Sequence, residues 1–234
     1  MHIFDAQIAA ITPATPSIRV LQLAIPDAQF RFLPGQWVDL AVEIDGVSHT
    51  SGYSITTSPV HMGEIELAIK ASTRHPLSRW VHEHAQAGDR VRVSQGQGPF
   101  VYLPEMSDNV VLIGGGVGIT PLLSIFRHVR DAGLTTRAHL VYSVSDSREI
   151  LFHDELEAAA REHDNLHLSI TVTQPDANWH GLTGRIDPVK LHALDVPDDT
   201  LYYLCGPKGM VEDMSVLLHE LGVPMSRIIF EKWW

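Results

Sequence analysis

One octapeptide, Gly114-Gly115-Gly116-Val117-Gly118-Ile119-Thr120-Pro121, has the residue types that cradle a phosphate. Glycines let a backbone turn tightly and approach an anion, and a helix starting there offers unpaired N–H groups and the positive end of its dipole. The preceding run, Val110-Val111-Leu112-Ile113, reads as a buried strand, and residues 122–129 carry helical apolar spacing. Strand, glycine turn and helix start together predict a dinucleotide site. Pro121 stands where the usual fingerprint has its third glycine, and no Gly-Lys-Ser/Thr follows, so an NTPase P-loop is excluded.

Three further clusters could do chemistry. Leu201-Tyr202-Tyr203-Leu204-Cys205-Gly206-Pro207 is a second strand running into a glycine turn. Strand ends converge on the ligand crevice of a doubly wound sheet, so Cys205 and Gly206 could face the ligand of Gly116 and Gly118. Taken alone, Cys205 reads as a small buried residue at a strand end. Tyr53-Ser54-Ile55-Thr56 offers an aromatic face beside a hydroxyl, which suits a planar heterocycle, although by itself it is an ordinary strand. His75-Pro76-Leu77-Ser78 opens a short helix, where Ser78 and the free N–H groups could hold a phosphate.

These residues need elements to position them. Up to Pro104 the chain reads as short strands, such as Trp37-Val38-Asp39-Leu40-Ala41-Val42, Ile65-Glu66-Leu67-Ala68-Ile69-Lys70 and Arg90-Val91-Arg92-Val93. Turn signals at Pro34-Gly35, Asp45-Gly46, Met62-Gly63 and Gly88-Asp89 separate them, which predicts a barrel or sandwich. One helix, over residues 77–85, interrupts the run. After Pro104 strands and helices alternate: strands at 137–144, 166–172 and 201–205, and helices from the glycine turn to about 132, over 149–162 and over 210–221. That alternation predicts a parallel sheet flanked by helices. The expected division is a barrel domain over residues 1–104 and an α/β domain over 105–234.

Composition narrows the function classes. A formal net charge of -11 argues against a general nucleic-acid binder. No apolar run is long enough for a membrane helix, and Met1-His2-Ile3-Phe4-Asp5-Ala6 lacks the features of a signal peptide, so a cytoplasmic protein is expected. Cys205 is the only cysteine, which rules out disulfides within the chain and a cluster held by its own thiolates. His82 and His84 face different ways on a helix, no His-Glu-x-x-His pattern occurs, and no metal site is expected. No Gly-x-Ser-x-Gly elbow marks an acyl-transfer hydrolase.

In order, Leu33-Pro34-Gly35-Gln36-Trp37-Val38, Tyr53-Ser54, Gly88-Asp89-Arg90-Val91, Gly98-Pro99-Phe100, the glycine turn and Cys205-Gly206-Pro207 resemble the ferredoxin–NADP reductase superfamily over almost the whole chain. The ending Phe230-Glu231-Lys232-Trp233-Trp234, with Gly52-Tyr53-Ser54-Ile55 and His75-Pro76, is most similar to the oxidoreductase NAD-binding domain-containing protein 1 group. The resemblance implies an N-terminal six-stranded antiparallel Greek-key β-barrel for FAD, with FMN as the alternative. It implies a C-terminal α/β parallel-sheet domain for NADH or NADPH, with hydride passing between the two at the cleft. Tyr53 would stack on the flavin ring, Ser54 would hydrogen-bond near its N5, and Ile55 with the backbone of Ile69, Lys70 and Ala71 would line it. Ser78 would touch its phosphate. Gly116, Gly118 and Thr120 would receive the NAD(P)H pyrophosphate, Cys205 and Gly206 would lie by the nicotinamide, and Trp233 or Trp234 would shield the flavin. Ser54, Cys205 and Trp234 are thereby the candidate catalytic residues.

Two positions depart from that pattern. Ser51 stands where the flavin motif has an arginine, and His75 where the second motif has a glycine; Arg74, Arg79 or His75 itself could compensate. Cofactor choice would be read at Ser143-Val144-Ser145-Asp146-Ser147-Arg148. There Arg148 and the serines, Ser143 among them, could hold a 2′-phosphate, whereas Asp146 would repel it and suits a ribose diol, and the balance leans to NADH. The expected electron acceptor is a separate protein, such as a ferredoxin, a flavodoxin or an oxygenase component, with a quinone or free flavin also open. The alternative reading is a non-catalytic nucleotide-binding module that acts as a sensor or partner subunit.

Overall fold

The computed structural model describes residues 2–233. Six antiparallel strands form the first half: β1 (Ile3–Pro13), β2 (Ile18–Ala24), β3 (Trp37–Ile44), β4 (Val47–Ser54), β5 (Glu64–Lys70) and β6 (Arg90–Ser94). Their order is β4-β3-β6-β1-β2-β5. Alternation dictates which face turns inward. In β3, Val38, Leu40 and Val42 are buried while Glu43 is exposed. A bridge between Ile55 and Leu67 joins the chain after β4 to β5, so the two ends of the sheet meet and it curls into a barrel. Leu21, Leu23, Val38, Leu40, Ile55, Leu67 and Val93 fill the interior without solvent contact. The helix α1 (Pro76–Glu83) has Pro76 in its first turn and lays Leu77 and Val81, four residues apart, into the same core.

The second half is a parallel sheet of β7 (Asn109–Gly115), β8 (Arg137–Val144), β9 (Leu166–Val172), β10 (Leu182–Thr183), β11 (Leu201–Cys205) and β12 (Ile228–Glu231). Four helices accompany it: α2 (Thr120–Asp131), α3 (His153–Glu162), α4 (Pro188–His192) and α5 (Lys208–Glu220). β7 is apolar at successive positions because both its faces are covered. Val110 and Leu112 pack in the cluster of α2 and α3, and Val111 and Ile113 in that of α5. The strand order is β10-β9-β8-β7-β11-β12. The chain therefore steps outward from β7 to β10 and then returns to β11 on the other side of β7. The crevice above β7 and β11 is the topological switch point, where open α/β sheets bind ligands.

Several elements differ from the sequence-based expectation: β10, α4 and β12 were not expected, and two further differences have a plain physical reason. The helix expected over 149–162 begins only at His153, because Phe152 adopts a left-handed backbone (φ 56°) that breaks it. The three residues before the helix serve tertiary packing instead: Ile150 and Leu151 are buried, and the Phe152 ring lies 4.4 Å under the Arg127 guanidinium. β1 was not expected, since its inward residues Phe4, Ala6 and Ile8 include a small alanine that weakens the apolar alternation. The halves also share a core. Ile18, Val20 and Ala68 from the barrel wall pack in one cluster with Phe126, Leu151 and other residues of the second half.

Candidate functional site

A cleft of about 630 Å³ opens between the barrel and the switch point. Tyr53, Ser54, Lys70 and Ser78 line it from the barrel, and Gly116, Gly118, Thr120, Cys205 and Gly206 line it from the parallel sheet. Trp233 closes one side. Ten residues singled out in the sequence thus meet in one cavity, although 180 positions separate Tyr53 from Trp233. Ile55 and Ile69 lie in the barrel core without solvent contact and do not line the cleft. Ala71 is exposed and donates its N–H to the Ser17 carbonyl (2.8 Å). Ser143 and Arg148 also lie off the cleft lining, and Trp234 is outside the described residues.

The glycine turn brings backbone to backbone. A Cβ on Gly118 would stand 2.4 Å from Gly206 Cα and 2.6 Å from Gly206 N, so the turns that end β7 and β11 touch at a distance only glycine permits. Gly116 has φ 54°, which glycine adopts without strain. A single 3-10 turn, Gly116–Ile119, leads into α2, and the Thr120 N–H donates to the Val117 carbonyl; the start of that turn has no side-chain cap, so it is there, in the glycines, that N–H groups are available to an anion. α5 likewise begins beside the cleft, after Pro207, and Lys208 joins Lys70 as the two lysines of the lining. This donor set fits an anionic dinucleotide.

The barrel side fits a planar ring. Burial pushes the Tyr53 phenol up to about 12, against the lowering influence of its hydrogen bond with Ser51, so it stays neutral. Gly52 has no side chain to obstruct the aromatic tail: a Cβ there would lie 3.1 Å from the Trp233 ring and 3.2 Å from that of Trp37. Trp233 meets Trp37 edge-on with 5.7 Å between centroids. The Ser78 hydroxyl donates to the Lys70 carbonyl (2.7 Å), so its proton is committed to the protein and the N–H groups of the α1 start are what face an anion. His75, without a side-chain capping bond, lines the cleft, whereas Arg74 and Arg79 do not. Lys70 is the lysine the barrel brings to the cavity that Ser51 also lines.

Glu231 was missed in the sequence. It sits in register with Cys205 across β11 and β12, and its Oε2 is buried with no hydrogen-bond partner among the described residues. Burial raises its carboxyl to about 7. Burial, and secondarily Glu231, raise the Cys205 thiol to about 12, so it is a neutral S–H at the cleft wall. The available signal was the apolar run Ile228-Ile229-Phe230 ending at Glu231, which has the look of a buried parallel strand.

Beyond β8, Asp146 accepts from the Arg148 backbone N–H (2.9 Å) and from its guanidinium through Nε (3.0 Å) and Nη2 (2.5 Å). Those bonds hold the Asp146 carboxyl down to about 2. The next residue, Glu149, accepts from Thr15 Oγ1 (2.9 Å) and Ser17 Oγ (2.6 Å) of the turn between β1 and β2. Among the described residues, no cluster of three or more His, Cys, Asp or Glu could hold a metal ion, and no helix is long and apolar enough to cross a membrane.

Comparison with known proteins agrees with this architecture. Residues 5–102 match the oxidoreductase FAD-binding domain and residues 112–215 the oxidoreductase NAD-binding domain. Oxidoreductase NAD-binding domain-containing protein 1 of Danio rerio is 36% identical over 255 residues, covering 100% of this chain and 93% of the relative. The glycine betaine monooxygenase reductase subunit of Chromohalobacter salexigens is 31% identical over 202 residues, covering 84% of this chain and 55% of that subunit. The fold matches that of a ferredoxin NADP+ reductase from Neisseria gonorrhoeae, solved with bound FAD and NADP, with a TM-score of 0.84, 23% identity and 100% coverage of both chains.

Proposed function

The chain belongs to the oxidoreductases that join a FAD-binding to an NAD-binding domain, in the group of oxidoreductase NAD-binding domain-containing protein 1, and on that premise we propose that it is an NADH-dependent flavin reductase serving a separate electron-acceptor protein. The observation that carries this reading is the single cleft shared by Tyr53-Ser54 on the barrel and by the two glycine turns at the switch point. FAD, when bound, supplies the ability to take two electrons together and release them singly. The chain's own residues do the rest.

The glycine turn that leads into α2, the start of α5 and Lys208 hold the dinucleotide phosphates, while the Gly118–Gly206 contact fixes the floor on which the nicotinamide lies. Ser54, 7% exposed, presents a hydroxyl from the barrel wall, and Cys205 presents an uncharged thiol opposite. Neither adds charge to the cleft. Glu231, in register with Cys205 on the neighbouring strand, does not line the cleft, and its burial-raised carboxyl, at about 7, is partly protonated near neutral pH. Trp233 excludes water from the ring site. The preference for NADH rests on Asp146, which ties Arg148 down and leaves a carboxylate where a 2′-phosphate would be repelled. A separate acceptor accords with an oxygenase reductase subunit standing among the relatives.

The test is a visible spectrum of the purified protein, followed by anaerobic mixing with NADH and then NADPH. Flavin absorption that bleaches faster with NADH is the expected result. A protein that binds neither FAD nor FMN overturns the reading, and bound flavin that stays oxidised identifies the non-catalytic module instead.

A further inference from the structure

One face of α2 is fastened to the barrel along its length. Ser124, Arg127, His128 and Asp131 fall at i, i+3, i+4 and i+7, which is a single helix face. Ser124 Oγ donates to the Thr57 carbonyl (2.7 Å), and Arg127 Nη1 donates to the Thr56 carbonyl (3.1 Å) and to Glu66 Oε1 (2.8 Å). His128 Nδ1 lies 3.4 Å from Ser58 Oγ, and Asp131 Oδ2 is 3.0 Å from His61 Nε2. All four partners among residues 56–61 belong to the segment that continues directly from Ser54.

Arg127 is the strongest of these ties. It is 7% exposed, and Glu155 of α3 grips its other edge through Nε (2.9 Å) and Nη2 (2.6 Å). Its guanidinium is planar and Phe152 lies against it, so it has little freedom to swing. Its barrel contacts fall where the barrel closes. The Thr56 N–H and Oγ1 both donate to the Glu66 carbonyl, and Oγ1 also reaches Glu66 Oε1 (2.6 Å).

α2 starts at Thr120 in the dinucleotide cradle. At about 1.5 Å per residue, Ser124 is about 6 Å and Arg127 about 10 Å along a rigid rod from that end. We infer that this seam is the ruler of the reaction: Ser124 and Arg127 are positioning residues that set where the nicotinamide cradle stands relative to Ser54 on the barrel. The inference rests on the reductase reading. It goes further by assigning the hydride-transfer distance to side chains that do not line the cleft.

The experiment compares wild type with Ser124→Ala and Arg127→Lys, the former mild enough to keep the fold. Rapid-mixing absorbance gives the rate of flavin bleaching at saturating NADH, and titration gives the Kd for NAD+ and for FAD. Amide hydrogen exchange on the flavin-free protein follows the Thr56 N–H. A 1 Å error in alignment costs on the order of a hundredfold. About a tenfold slower bleaching is therefore expected, with both Kd values within about twofold of wild type and faster exchange at Thr56. Bleaching at the wild-type rate in folded variants overturns the inference. So does a parallel loss of rate and both affinities, which marks a merely structural role. If wild type itself is not bleached by NADH, the functional reading fails and the inference falls with it.

Discussion

Gly118→Ala tests the contact between the two glycine turns. Its Cβ would fall 2.4 Å from Gly206 Cα and 2.7 Å from the Cys205 carbonyl carbon, whereas ordinary contacts begin near 3.4 Å. The obstructing atoms are backbone, so one turn must retreat by about 1 Å rather than a side chain rotating aside. Overpacking of that kind costs ~1–3 kcal/mol, and at this chain length each kcal/mol lowers Tm by about 2–4 °C. If this contact is the nicotinamide floor of the proposed function, the larger effect is kinetic, because a displacement of about 1 Å there costs on the order of a hundredfold in hydride transfer. Gly116→Ala is the control. It meets nothing within 4 Å, and its cost is the left-handed backbone, about 1–2 kcal/mol, with no push on Gly206. Thermal melts and rapid mixing with NADH should therefore show two variants of similar stability but with very different bleaching rates. A Gly118→Ala protein that bleaches within about twofold of Gly116→Ala would refute the argument that backbone contact across the switch point positions the substrate.

Other sites make independent predictions. Glu231 binds its proton more tightly in the folded than in the unfolded chain, so wild type should lose stability as pH rises from the ordinary glutamate range to about 7. Glu231→Gln should flatten that slope, and superimposable Tm-versus-pH curves would remove the buried carboxylate from the account. Asp146→Ala should release Arg148 for a 2′-phosphate and raise the NADPH-to-NADH ratio of kcat/KM by about tenfold, the worth of one hydrogen bond to a charged group; an unchanged ratio would show that this pair does not read the cofactor. Trp233→Ala should leave Trp37 without its edge-on partner and open the ring site, with higher flavin fluorescence and tighter NADH binding. If neither observable moves, the Trp233 indole is packing alone.

How much of this was legible in the sequence follows from the range of the forces involved. Strands β8, β9 and β11 read out residue for residue: β11 is a continuous apolar run, as burial on both faces requires, while β9 alternates Leu166, Leu168, Ile170 and Val172 with polar residues and β8 sets its apolar residues among Arg137, His139 and Ser143. The glycine turn was equally plain, since local backbone geometry and helix-start chemistry operate within a few positions. Phe152 was not legible: nothing local forbids a helix there, and its left-handed backbone accompanies a cation–π contact with a residue 25 positions away. Glu231 was hidden for a related reason. A glutamate after three apolar residues looks like a strand end meeting water, and Glu231 is indeed only half-buried; what pairing beside Cys205 hides is its Oε2 alone.

The Arg127 seam is the extreme case. Its partners Thr56 and Glu66 lie 71 and 61 positions away, and in isolation Arg127-His128 reads as the polar side of an amphipathic helix. Yet a buried cation must have its partners, since an arginine 7% exposed is tolerable only when carboxylates and carbonyls occupy its donors. The barrel meets that demand at its own closing point, through Glu66 and the Thr56 carbonyl. The same desolvation cost that makes Arg127 dependent on both halves makes the relative placement of the halves dependent on Arg127. On the proposed reading, with the reaction in the cleft between the two halves, their separation would be fixed by a residue whose own burial requires that separation to be right.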